Sequence, residues 1–111
     1  MTLYTLDELK QRAKLKTDAQ QVLARYTQLT SIIDSTPARV DHLQVDTDRD
    51  RARLSRLAEA VDRLQGVGCD QLQRESQSLT VAIDARVRSI EDLHRRATEA
   101  REERQALVKE A

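Results

Sequence analysis

The residues able to do chemistry are few and scattered. His42 and His94 are the only histidines and Cys69 the only cysteine. His42 stands beside Asp41 and four residues before Asp46, which places His42 and Asp46 on one helical face. A metal site needs more ligands than that pair, so they read as solvent-facing polar residues. His94-Arg95-Arg96 reads the same way. Cys69 has no base placed to activate it as a nucleophile and reads as a turn or core cysteine. Gly66-Val67-Gly68 follows no strand and precedes no Lys-Ser or Lys-Thr, so it is a helix stop rather than a phosphate loop. Asp46, Asp48 and Asp50 alternate as at the start of a calcium loop. Arg51 stands where that loop requires Gly, and Leu57 where it requires Glu. As a helix, the same stretch interleaves Asp with Arg and forms a polar surface around Arg49, Asp50 and Arg53, a candidate partner-binding patch. Lys10, Lys14 and Lys16, with Arg12 among them, are a second candidate, a docking site for an acidic protein surface. No catalytic constellation emerges. The expectation is a non-enzymatic protein that needs no cofactor, metal or small-molecule substrate.

Composition places function on helix faces. The 111 residues carry 34% charged and 2% aromatic side chains, with neither Trp nor Phe. Burial must therefore come from Leu, Ile, Val and Ala along narrow seams, as in coiled coils. The 19 basic and 19 acidic residues cancel. This argues against nucleic acid, which selects a basic excess, and against a membrane-surface helix. No apolar run is long enough to span a bilayer. Met1 to Leu9 lacks the basic-then-apolar order of a secretory signal. With a lone cysteine, this gives the expectation of a soluble intracellular protein.

Three breakers punctuate the chain: Pro37, Gly66 and Gly68. Before Pro37, Thr5 and Glu8 have capping-box spacing, and Leu15, Ala19, Val22, Tyr26, Leu29 and Ile33 recur at alternating steps of four and three. Thr36 as cap and Pro37 as first helical residue would start a second helix. Its seam is Val40, Leu43, Thr47, Asp50, Leu54, Leu57, Val61 and Leu64, polar at Thr47 and Asp50. Gly66 stops it, and Asp70 caps a third. The third seam runs from Leu72 through Ser76, Leu79, Ile83, Arg86, Ile90, Leu93, Ala97, Ala100 and Arg104 to Leu107. These spacings predict an all-α fold in one domain over residues 1–111. It is an elongated up-down-up antiparallel three-helix bundle, spectrin-repeat-like with left-handed coiled-coil packing. Its helices lie at about 6–34, 37–65 and 70–108.

Lys14-Leu15-Lys16-Thr17 near the start of the first helix, three helices in this length and a charged end at Leu107-Val108-Lys109-Glu110-Ala111 resemble the tubulin-binding cofactor A family. That family carries a Lys-x-Lys-Thr element at this place. The following Asp18-Ala19-Gln20-Gln21-Val22-Leu23 departs from the family's usual Gly-Val-Val-Lys-Arg-Leu, and Cys69-Asp70-Gln71-Leu72 matches only loosely. The resemblance implies a cytoplasmic chaperone of the microtubule cytoskeleton. It would capture β-tubulin after the chaperonin and hold it, alongside other tubulin-folding cofactors, until the αβ heterodimer is built. It assigns Lys14, Lys16 and Thr17 to the partner surface. The competing expectation is a structural coiled-coil interaction or assembly module with no tubulin specificity.

Overall fold

The computed structural model describes residues 5–110, less the side chain of Glu110. Among these residues there are two helices and no strand. Helix α1 runs Leu6–Arg63 and helix α2 runs Asp70–Glu110.

The expected break at Pro37 is absent, and with it the three-helix bundle: Pro37 lies inside α1. A proline there removes one backbone hydrogen bond, the one to the Ile33 carbonyl, and crowds that carbonyl. The seam explains why the helix continues. Thr36 fills the step between Ile33 and Val40. Alternation of four and three therefore runs unbroken from Leu15 to Leu64, with no skipped register at the proline. Ile33 and Thr36 are both buried and Val40 is half-buried. Packing on both sides of the proline outweighs a cost of about 3 kcal/mol in an isolated helix.

The remaining helix ends, at Leu6, Arg63, Asp70 and Glu110, lie within two residues of the expected 6, 65, 70 and 108. Thr5 caps α1: its carbonyl accepts from the Leu9 N–H at 3.1 Å, and its Oγ1 accepts from the Glu8 N–H at 3.3 Å. The end of α1 is a Schellman motif. Gly66 N–H reaches back to the Val61 carbonyl at 3.2 Å and Gln65 N–H to that of Asp62 at 3.1 Å. The left-handed position falls on Gln65, at φ 51°, one residue before the glycine expected to take it. Gly66 and Gly68 follow at φ 79° and 66°, a backbone region that suits glycine. Asp70 is the first residue of α2 rather than its cap; the cap position is taken by Cys69, whose carbonyl accepts from Gln73 N–H at 2.9 Å. Its thiol is fully buried.

The chain divides into two compact units. One comprises Ser35–Arg96. Its two helical segments pack through Leu57, Ile83, Leu93 and the wholly buried Thr47. Thr47 leaves no orphaned hydroxyl, because its Oγ1 donates to the Leu43 carbonyl at 2.8 Å. The other comprises the described parts of Met1–Asp34 and Ala97–Ala111. Its core is Leu29, Ile33 and Ala100, with Leu107 packed against them. The small side chains at Ala97 and Ala100, both buried, present little bulk on α2 where the larger Leu29 and Ile33 face it.

Candidate functional site

The predicted site residues fall into two groups with different surroundings. In the Ser35–Arg96 unit, the polar centre of α1 is turned largely to α2. Asp50 pairs with the Arg86 guanidinium, which also reaches the Asp46 carbonyl at 3.5 Å. Both side chains are mostly out of solvent, at 16% and 28% exposure. Two polar seam residues, one from each helix, thus satisfy each other. Arg53 spans to Glu75, its Nε at 3.0 Å and its Nη2 at 2.9 Å from the carboxylate. Arg49 is exposed and pairs within its own helix with Asp46 at 3.0 Å. Of the patch Arg49, Asp50 and Arg53, only Arg49 faces outward without holding α2. Asp46, Asp48 and Asp50 lie in continuous helix, which puts Asp48 on the face opposite Asp46 and Asp50 instead of wrapping the three around a cation. Among the described residues no group of three or more His, Cys, Asp or Glu side chains is placed to hold a metal.

Further along α2, Asp92 receives both neighbouring arginines. The hydrogen bond from Arg95 holds its carboxyl below the usual carboxylate range, and the charge of Arg96, whose Nε lies 2.9 Å away, adds to this. The carboxylate is solvent-facing, and the cluster reads as helix-surface pairing.

The second group lies where α1 is uncovered. Every described residue from Thr5 to Gln28 is exposed, whereas the seam from Leu29 to Val61 is buried or half-buried throughout. The last turns of α2 reach α1 near Tyr26, where the Arg104 guanidinium sits 5.8 Å from the ring centroid. Beside it, Arg25 grips Glu103 in a two-pronged ion pair at 2.8 and 3.1 Å. Leu107 and Val108 close one end of an apolar groove of about 780 Å³, whose walls on α1 are Leu15, Ala19, Val22 and Leu23. Leu15 is 68% exposed where its seam counterpart Leu29 is 1% exposed. Leaving such side chains in water forgoes roughly 1.5–3 kcal/mol each for the larger ones.

Lys14 and Lys16 project on opposite sides of this stripe, each about 100° around the helix from Leu15, while Thr17 faces away from it. Thr17 is occupied locally, its Oγ1 donating to the Ala13 carbonyl at 2.9 Å. The motif Lys14, Lys16, Thr17 therefore does not converge on one face, and the feature it brackets is apolar. The sequence shows this stripe plainly as periodicity. That it has no cover depends on Pro37 failing to turn the chain back, and the unbroken heptad through Thr36 is the signal that reveals it.

No helix among the described residues is long and apolar enough to cross a membrane. Compared with protein-family models, with curated proteins and with solved structures, the chain finds no match in any of the three.

Proposed function

We propose that this protein is a coiled-coil interaction module that recruits a helix through the uncovered seam at the start of α1. One observation carries the reading. Leu15, Ala19 and Val22 continue, without a change of register, the heptad that is buried about two turns after Val22, at Leu29 and Ile33. A surface already built to the spacing of helix packing asks only for another helix. Its charged flanks give rate and specificity rather than a fixed, permanent interface. The module acts by binding, and the reading requires no reaction, cofactor or metal.

The test is a photo-activated cross-linking residue placed at Ala19, in the stripe, and separately at Thr17, on the opposite face of the same turns. Adducts to a helical protein, whether another protein or a further copy of the chain, are expected from position 19 and not from 17. Equal adducts from the two positions, or none from 19, would end the reading.

The tubulin-chaperone reading is a second proposal. It is supported by Lys14-Leu15-Lys16-Thr17, whose two lysines flank the stripe and suit an acidic partner surface. It does not retain the three-helix layout that first suggested it. It expects β-tubulin to be retained by immobilised protein and lost with Lys14→Glu and Lys16→Glu together. It also expects the protein to lie with the microtubule cytoskeleton in the cytoplasm.

A further inference from the structure

The uncovered seam has a register, flanking charges and a width, and together these select an occupant. In heptad terms Leu15 and Val22 occupy d positions, Ala19 and Tyr26 a positions, Asp18 and Arg25 g positions, and Lys16 and Leu23 e positions. Antiparallel helices layer a residues against d residues and set g beside g and e beside e. A second α1 laid antiparallel on the first then places Ala19 opposite Val22 and Leu15 opposite Tyr26. The two-fold axis repeats each layer, giving four apolar layers with no polar residue among them. The same register sets Asp18 of each copy beside Arg25 of the other. A parallel pair would instead put Asp18 beside Leu23.

The charges fit. Among the described residues Asp18 has no ion-pair partner, although it borders the groove. Arg25 has two N–H donors left: three of its five are used, two by Glu103 and one by Gln28. The width fits too. Leu23 extends the stripe beyond a and d to an e position, the pattern of a helix that meets more than one neighbour. Leu15 of a second copy would arrive where Tyr26, Leu107 and Val108 already form a two-helix groove. The axis returns the same contact to the other chain, as an isologous interface requires.

We infer that the occupant is a second copy of this chain, joined antiparallel through Leu15, Ala19, Val22 and Tyr26 and flanked by reciprocal Asp18–Arg25 pairs. The inference rests on the reading of this seam as a helix-binding surface and adds the identity and direction of the helix.

Sedimentation of the wild-type chain across a concentration series, joined to a spin-label distance, tests it. A monomer–dimer equilibrium is expected. Leu15→Glu with Val22→Glu should abolish it, and Asp18→Arg should weaken it about 3- to 10-fold, from two lost surface pairs and the repulsion replacing them. With Cys69→Ala and a label on Gln11→Cys, antiparallel arms set the two labels about 30 Å apart, since residue 11 falls level with residue 30 of the other copy. A dimer with labels within about 15 Å is parallel and overturns the inference, as does a dimer that survives the double glutamate variant. A chain that stays monomeric at every soluble concentration also overturns it. The helix-binding reading beneath then still stands if position 19 cross-links a different helical protein, and falls with the inference if it cross-links nothing.

Discussion

At the residue scale, polar side chains in the seam divide by what they meet. Thr47 closes its hydroxyl onto its own helix, and Ser76 does the same, donating to the Leu72 carbonyl at 2.9 Å. Asp50 and Arg86 instead depend on each other across the two helices. Such a pair adds little net stability over an apolar pair of similar volume, but losing one member strands the other. Asp50→Ala is expected to cost about 1–3 kcal/mol in urea unfolding, because Arg86 keeps its charge and loses its acceptor. Asp50→Leu with Arg86→Leu should recover most of that loss. A double variant no more stable than the two losses added together would show that the residues act separately. Sequence reading located both residues on seams. It assigned Asp50 to an outside partner because spacing along one helix does not say which residue of another stands opposite.

At the element scale, the legible features were those written in local chemistry: the Thr5 cap, the stop before Gly66 and the start of α2 after Cys69. Each depends on groups within a few residues of one another, so sequence neighbours carry the information. Pro37 was misleading because proline has two opposite meanings in helices, favourable in the first turn and costly in the interior. Local sequence before it, Asp34-Ser35-Thr36, matches a helix start. The tie is broken by the heptad, which passes from Ile33 through Thr36 to Val40 without a skip. Pro37→Ala separates the meanings by sign. Within an unbroken α1 the exchange should raise stability by about 2 kcal/mol: the interior penalty is relieved, and part of the gain is returned because the unfolded chain becomes freer. At the first position of a separate helix the same exchange would leave stability unchanged or lower it. Denaturant midpoints of the two proteins decide between them.

At the scale of the whole molecule, the proposed function rests on a stretch of α1 left open in its own unit. The packing pattern continues from Leu15 to Val22, where the described residues are exposed, and this stretch is apolar, regularly spaced and flanked by charge. Composition points to helix faces as the place where function would lie. Which face was not readable, since an apolar stripe looks the same whether it is buried inside a bundle or open to a partner. That the stretch of α1 from Leu15 to Val22 has no intramolecular cover among the described residues is tested most directly by the stability of Leu15→Glu, measured by urea unfolding at a concentration too low for association. Glutamate keeps the helix propensity of leucine. An uncovered Leu15 gives a free energy of unfolding within about 0.5 kcal/mol of wild type, as for a surface exchange. A loss of about 2–5 kcal/mol, the cost of removing a core leucine, would mean that Leu15 is packed inside its own chain and would contradict the account.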